Sequence, residues 1–94
     1  MAVRYESDFH DLVTKAWQQS LRASAKFPQP NYVLLKVAEE AGEVVRAGVH
    51  YAEGRMPWSE VEAEAVQLLA VLIRLLAEGD EVNGIIPPHL RDEE

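Results

Sequence analysis

The stretch from Ala63 to Ala77 constrains the fold of this chain more than any other. Only Glu64, Gln67 and Arg74 interrupt an otherwise apolar run. The run is too short and too interrupted for a membrane span, so it predicts a helix that is buried on most of its faces. A single small domain, residues 1–94, cannot surround such a helix by itself. We therefore expect a homo-oligomer in which this helix packs against its symmetry mate.

Apolar periodicity predicts two more helices, so the expected fold is all-α, a helical bundle of three main helices whose core is completed by homo-oligomerisation. The expected bounds are Ser7–Ser24, Pro30 or Asn31 to Glu53, and Glu60–Glu78. Ser7 and Asn31 are suitable N-caps. Ser59 and Glu62 have the form of a capping box before the third helix, and Gly79 is a suitable C-terminal stop.

The charge and composition narrow the classes of partner. A net charge of −7 argues against binding a nucleic-acid polymer, which needs clustered Lys and Arg. An acidic protein that handles phosphates needs a divalent cation, although a merely solvated acidic surface also explains the charge. The chain has no cysteine, which excludes a disulfide or thiolate site and fits a cytoplasmic protein. Its polar start predicts no signal peptide, and we expect no membrane partner.

The second predicted helix carries a carboxylate where an apolar side chain is expected. At about 100° per residue, one stripe within roughly 60° contains Val33, Val37, Glu40, Val44 and Ala47. Glu40 is therefore expected inside a hydrophobic stripe, with Glu43 one turn on and Lys36 one turn back. An ionised carboxylate in an apolar layer is costly unless it is paired or bound to a cation. This stretch is the predicted location of the chemistry.

The third predicted helix also gathers its polar residues on one side. Within roughly 80° on a helical wheel lie Glu64, Gln67, Val71, Arg74 and Glu78. If the second and third helices form an antiparallel hairpin, oxygen-bearing side chains can converge from Glu40, Glu43, Glu64 and Gln67. Carboxylate and amide oxygens suit hard cations such as Mg²⁺ or Mn²⁺. The Glu-x-x-His pairs of di-iron helical bundles are absent, which disfavours redox chemistry.

A buried ion-pair network is the alternative to a metal site. Lys36 and Glu40 are spaced i, i+4, and so are Arg74 and Glu78. Opposite charges at this spacing lie on one helix face and can pair. The spacing alone leaves the two interpretations open.

The segment Lys36-Val-Ala-Glu-Glu-Ala-Gly-Glu43, followed by Glu64-Ala-Val-Gln67, resembles the E-E-x-x-E…E-x-x-D pattern of the MazG-like nucleotide pyrophosphohydrolases. The resemblance covers roughly residues 30–80. It implies an all-α homo-oligomer, a dimer or tetramer, that uses Mg²⁺. The implied reaction cleaves a nucleoside triphosphate between its α and β phosphates to give a monophosphate and pyrophosphate.

The resemblance also implies roles for single residues. The positions that match metal ligands are Glu40, Glu43, Glu64 and Gln67, and those that match catalytic carboxylates are Glu39, Glu40 and Glu43. Glu39 is the candidate to orient the attacking water. Lys36 matches a residue that contacts the triphosphate. Arg74 is a further candidate substrate contact. Independently of the resemblance, Trp17 and Trp58 are candidates to stack on the base, although an indole at helical spacing is more often part of a core.

One departure from the family pattern keeps other functions open. Gln67 stands where the family usually carries Asp, which removes one negative charge from the implied metal site. A catalytically weak nucleotide-binding or regulatory module is therefore the main alternative. A purely structural bundle would require Glu40 and Glu64 to be satisfied by Lys and Arg alone.

Overall fold

A computed structural model describes residues 2–91 of the chain and the side chains of residues 8–91. Its regular elements are α1 (Ala2–Lys26), α2 (Val33–Ala52), α3 (Trp58–Glu78) and a short 3-10 helix, Pro88–Leu90. An isolated antiparallel bridge joins Asp80 and Ile85, and the described residues contain no strand. The prediction of an all-α fold with three main helices is confirmed. None of the described helices has the length and apolar character needed to cross a membrane.

Helix α3 is the central element of the fold. It packs against both α1 and α2, whereas α1 and α2 make little or no contact with each other. The backbone N–H of Leu34, at the start of α2, donates to Asp80 just beyond α3, so α2 runs antiparallel to α3. Ser24, near the end of α1, donates to Glu78 at the end of α3. Because Ala16 also packs with Val66, α1 runs parallel to α3.

The three helices form an open arrangement with a small core. The radius of gyration is 15.3 Å, whereas a compact domain of this length has a value of about 12 Å. The buried apolar side chains are Ala16, Val33, Ala47, Val66 and Ala70. All of these side chains are small or medium-sized, and most of the large apolar side chains stay partly exposed.

Large apolar side chains of α1 and α3 remain on the surface of the single chain. On α1, an i, i+4 stripe about half exposed comprises Phe9, Val13, Trp17 and Leu21. On α3, Leu76 is 74% exposed and Leu69 is 38% exposed. One chain therefore does not bury α3 on most of its faces, as the apolar run required. A partner that completes this core stays a prediction.

The start of α1 differs from the sequence-based expectation. The helix begins at Ala2 and ends at Lys26, so the prediction of an N-cap at Ser7 is wrong. The side chain of Ser7 lies outside the described residues. The expected stop is confirmed, because Pro28 and Pro30 follow the last helical turn and disfavour helix in the residues before them.

The start of α2 depends on a side chain far away in the sequence. The helix begins at Val33, and its N-cap residue Tyr32 makes no side-chain capping bond. Asn31, the expected cap, donates instead to the Phe27 carbonyl at 3.3 Å. The N–H of Leu34 is accepted by Asp80 Oδ2 at 2.8 Å. An acidic side chain from beyond α3 thus takes over the capping role.

The two ends of α3 differ in how well local signals predict them. The helix begins at Trp58, with Pro57 as N-cap and no side-chain capping bond. The predicted capping box at Ser59 is therefore wrong, because that residue already lies in the first turn. Gly79 ends the helix as expected, with φ at 76°. A Cβ at Gly79 would clash with the Ile85 carbonyl, so this position requires glycine.

Candidate functional site

A cleft of about 460 Å³ lies between α1, the α1–α2 connection, α2 and α3. Its polar lining residues are Gln19, Asn31, Lys36, Glu40, Gln67 and Arg74. Its apolar lining residues are Ala23, Phe27, Tyr32, Val33, Ala70 and Val71. A concave site with a mostly apolar wall and a few convergent polar groups is typical of small-molecule binding, for which volumes of roughly 300–1,000 Å³ are usual.

The cleft brings together several of the residues singled out in the sequence. Those that line it are Lys36, Glu40, Gln67 and Arg74. Glu64 is not a lining residue, but its charge acts on Glu40. The antiparallel pairing of α2 and α3 is the reason, since it sets the middle of α2 opposite the first half of α3. The prediction that these two carboxylates face each other across the helix pair is therefore supported by their electrostatic interaction.

The remaining predicted residues lie outside the cleft lining. Glu39 is exposed on α2. The Glu43 carboxylate lies 3.8 Å from an Arg46 guanidinium nitrogen, in a pair that is largely exposed. Trp17 belongs to the half-exposed stripe of α1. Trp58 packs edge-on against Tyr51 with ring centroids 5.1 Å apart, at the far end of α2.

Glu40 is the electrostatically perturbed residue of the cleft. Partial burial is the largest cause that raises its pKa, and the negative charges of Glu64, Glu39 and Glu43 raise it further. Lys36 opposes them, but the net pKa is raised. Among residues 8–91, the ion pairs within 4.0 Å do not include Glu40. The carboxylate thus sits among like charges without a close cationic partner, which disfavours its ionised form.

The alternative of a buried ion-pair network is half realised. Arg74 Nε lies 2.6 Å from Glu78 Oε1, and both side chains are largely buried. The predicted Arg74–Glu78 pair is therefore confirmed. Lys36 and Glu40 do not form the second pair within 4.0 Å. The Arg74–Glu78 pair neutralises the carboxylate at the end of α3, but Glu40 in α2 has no cationic partner within 4.0 Å.

Arg74 lines the cleft, but its guanidinium is already engaged. Besides Glu78, it donates to the backbone carbonyl of Phe27. The side chain is 7% exposed. These contacts hold the α1–α2 connection against α3, so Arg74 has a structural role. Its predicted contact with substrate stays a prediction.

The side chains around Glu40 offer the oxygen ligands that Mg²⁺ prefers. Within the described residues, no group of three or more His, Asp or Glu side chains is arranged to hold a metal ion. Mg²⁺ in phosphate-handling sites is usually held by one or two carboxylates, waters and the phosphates of the substrate, and not by an all-protein cage. Glu40 and Glu64 supply such carboxylates, and Gln67 adds a neutral oxygen. The chemistry of this donor set fits Mg²⁺ shared with a polyphosphate.

Sequence reasoning missed the residues that line the other end of the cleft. Phe27, Asn31 and Tyr32 belong to the connection before α2, and Gln19 belongs to α1. No periodic or motif signal marks them, because they reach the cleft only through the packing of α1 and α2 on α3. The prolines of the connection indicate only that a helix ends before them.

Comparison of the chain with protein-family models, curated proteins and solved structures finds no match. The resemblance to the MazG-like enzymes therefore rests on the motif residues themselves. Three of those residues, Lys36, Glu40 and Gln67, line the cleft.

Proposed function

We propose that this chain is a Mg²⁺-dependent nucleoside triphosphate pyrophosphohydrolase, which cleaves a ribo- or deoxyribonucleoside triphosphate to the monophosphate and pyrophosphate. One observation carries the proposal: Glu40 lines the cleft beside the charge of Glu64, and no cation of the described chain lies within 4.0 Å of it. A carboxylate placed in this way without a structural partner is suited to bind a divalent cation.

The proposed roles of the residues in and beside the cleft follow from their chemistry. Glu40 and Glu64 would hold Mg²⁺, or Mn²⁺, with Glu43 and Gln67 as further oxygen donors. Bound Mg²⁺ supplies charge neutralisation and makes a bound water more acidic. Glu39 is one residue away from Glu40 and is the group proposed to orient the attacking water. Phosphoryl chemistry of this kind depends mainly on positioning and electrostatics.

Among the described residues that line the cleft, Lys36 is the cationic residue without an ion pair within 4.0 Å. It lines the cleft one helical turn before Glu40, and it is exposed. Its ammonium group would contact the phosphates of the substrate. With a net charge of −7, the protein needs both this lysine and a metal ion to attract a polyanion.

The partly exposed apolar side chains support assembly as part of the proposal. Monomeric proteins rarely expose large contiguous apolar patches, yet Leu76 is 74% exposed and Trp17 is 52% exposed. A homo-oligomer, a dimer or a tetramer, would bury such side chains. Light scattering at micromolar concentration is expected to report more than one chain per particle, and a stable monomer would contradict this part.

The reaction is tested by pyrophosphate release from a panel of ribo- and deoxyribonucleoside triphosphates with Mg²⁺. The wild type is expected to release pyrophosphate, and Glu40→Gln is expected to reduce the rate by about 100-fold or more, because a neutral amide holds the cation less well. Glu60→Gln, an exposed position in the first turn of α3, is the matched control and is expected to keep the rate. Absence of pyrophosphate release from the whole panel would refute the enzymatic function.

The second candidate function is a catalytically weak nucleotide-binding or regulatory module. Gln67 favours it, because this residue lines the cleft where the family pattern has a carboxylate. The two functions differ in one outcome of the same panel. Mg²⁺-dependent binding of a triphosphate without pyrophosphate release would support the binding module, whereas turnover would support the enzyme.

A further inference from the structure

We infer that the aromatic end of the cleft binds the nucleobase of the substrate, with Tyr32 and Phe27 as its stacking residues. The inference rests on the proposed function for the identity of the ligand, and it adds where the nucleoside half lies and which residues select it.

The cleft has two chemically different ends. Glu40, Gln67 and Lys36 supply charge and polarity at one end, while Val33 and the aromatic residues before it form the other. Arg74 also borders the aromatic end, but its guanidinium is already engaged within the fold. From Val33 to Glu40 the helix rises about 10 Å. With Mg²⁺ held at Glu40, as proposed above, the cleft suits a ligand that is polyanionic at one end and flat and apolar at the other. A nucleoside triphosphate has this division.

The aromatic rings at this end are not buried in the hydrophobic core. Phe27 is 52% exposed and Tyr32 is 56% exposed, although both border the cleft. An exposed aromatic face beside a binding cleft is suited to stack on a base, and stacking of this kind strengthens binding about tenfold per base. The tryptophans do not line this wall, since Trp17 and Trp58 are absent from the cleft lining.

The connection that carries the aromatic residues is held in place by side chains. Gln29 Nε2 donates to Glu78 Oε1 at 2.8 Å, and Gln29 Oε1 accepts from the backbone N–H of Asn31 at 3.1 Å and of Glu81 at 3.0 Å. Arg74 donates to the Phe27 carbonyl from the other side. These bonds fix the wall before a ligand arrives, which lowers the entropy cost of binding.

Gln19 adds a hydrogen-bonding group to the same cleft. It lines the cleft, and its Oε1 is buried without a hydrogen-bond partner. A buried acceptor without a partner destabilises the protein unless a donor reaches it. A side-chain amide offers an acceptor in one orientation and two donors when rotated. Gln19 therefore offers an unused hydrogen-bond acceptor to a ligand in this cleft.

The test compares cleft variants with a matched tyrosine elsewhere on α2. In Tyr32→Ala and Phe27→Ala, KM for the preferred triphosphate is expected to rise about tenfold while kcat changes little, because binding shared by ground and transition state is lost. Tyr32→Phe keeps the ring and is expected to retain KM. Tyr51→Ala, which removes a ring 46% exposed outside the cleft, is the control and is expected to leave KM unchanged.

Inorganic tripolyphosphate separates the base from the phosphates. As a competitive inhibitor without a base, it is expected to keep the same inhibition constant in wild type and Tyr32→Ala. An unchanged KM in both cleft variants would overturn the base site while leaving the pyrophosphohydrolase standing. A parallel rise for tripolyphosphate would also overturn it. A change of oligomeric mass in Tyr32→Ala without a change of KM would assign this wall to contact between copies instead.

Binding measurements keep the inference testable if the wild type releases no pyrophosphate. Titration calorimetry with Mg²⁺ and a nucleoside triphosphate would then replace KM. Affinity that falls about tenfold in Tyr32→Ala, with tripolyphosphate affinity unchanged, supports the base site in a non-catalytic protein. No binding of any triphosphate to the wild type would overturn both the proposed function and the base site.

Discussion

Two groups of carboxylates beside the two ends of α3 behave in opposite ways. Near the first half of the helix, Glu40 lies beside Glu64, and its pKa is raised by burial and like charges. At the far end, Glu78 and Asp80 have lowered pKa values although burial, their largest single influence, acts to raise them. The groups differ in what surrounds the oxygens.

Hydrogen-bond donors explain the lowered pKa values at the far end. The Glu78 carboxylate accepts from Ser24 Oγ at 2.5 Å, Gln29 Nε2 at 2.8 Å and Arg74 Nε at 2.6 Å. Asp80, which has no exposed surface, accepts from the backbone of Leu34 and from Asn83, and these bonds outweigh its burial. Both groups are stabilised in their ionised form without any ligand.

The comparison separates structural acids from candidate functional acids. The acids at the far end hold the α1–α2 connection and the start of α2 against α3, so they stabilise the fold at neutral pH. Glu40 in the cleft lacks such donors, and it lowers stability while it is ionised. This is the charge that the proposed cation would neutralise.

The largest expected effect tests the structural side. Arg74→Ala removes the guanidinium that donates to Glu78 and to the Phe27 carbonyl. Breaking a buried pair from one side leaves a carboxylate without its charge partner, so the free energy of unfolding is expected to fall by about 3 kcal/mol. Urea denaturation measures this loss. Arg46→Ala, which breaks an exposed pair, is the control and is expected to change stability by less than about 0.5 kcal/mol.

The next largest expected effect is the loss of folding stability at acidic pH. Because the pKa of Glu78 is lowered in the fold, its contribution is fully present above the ordinary value of 4.5 and is lost as pH falls through the lowered folded value. Unfolding measured between pH 6 and about pH 3 is expected to show decreasing stability. In Glu78→Gln that decrease is expected to be shallower. An identical slope in both proteins would show that Glu78 is not stabilised in its ionised form.

Local signals in the sequence predicted where the helices lie, but they did not predict the contacts between the helices. Gly79 ends α3 as expected, because its positive φ is a purely local requirement. The cap of α2 was not predictable in this way, since Asp80 and Leu34 are 46 positions apart. Capping preferences consider only neighbouring residues, and they predicted Asn31 as the N-cap.

The same limit applies to the candidate site. Spacing on a helical wheel was sufficient to pair Glu40 with the third helix, because both helices are regular and a short loop joins them. The aromatic wall was not predictable from spacing, because Tyr32 belongs to an irregular connection that distant side chains such as Gln29 and Arg74 hold in place. Motif reasoning therefore located the proposed phosphate end and missed the proposed base end.

A smaller effect is expected from adding charge to the cleft. Gln67→Asp restores the carboxylate of the family pattern, so the apparent Mg²⁺ affinity is expected to rise about tenfold and turnover at limiting metal is expected to increase. A titration of activity against Mg²⁺ measures both. Weaker metal dependence together with lower turnover would mean that the Gln67 amide contacts the substrate, and that Gln67 is not a weak metal ligand.

The smallest effect concerns stability without metal. Because the pKa of Glu40 is raised in the fold, ionisation of this group lowers stability as pH rises above the ordinary value of 4.5. In metal-free buffer at pH 7, Glu40→Gln is expected to unfold at the same temperature as the wild type or a few degrees higher. Glu78→Gln is expected to unfold at a lower temperature. A clear loss of stability in Glu40→Gln would place Glu40 among the structural acids.

The Mg²⁺-dependent shift in melting temperature tests the central claim most directly. With a triphosphate analogue that resists hydrolysis between its α and β phosphates, Mg²⁺ is expected to raise the melting temperature of the wild type by several degrees, because the folded state alone binds the complex. The shift is expected to disappear in Glu40→Gln and Glu64→Gln and to persist in Glu60→Gln. Equal shifts in all four proteins would contradict a metal site between α2 and α3.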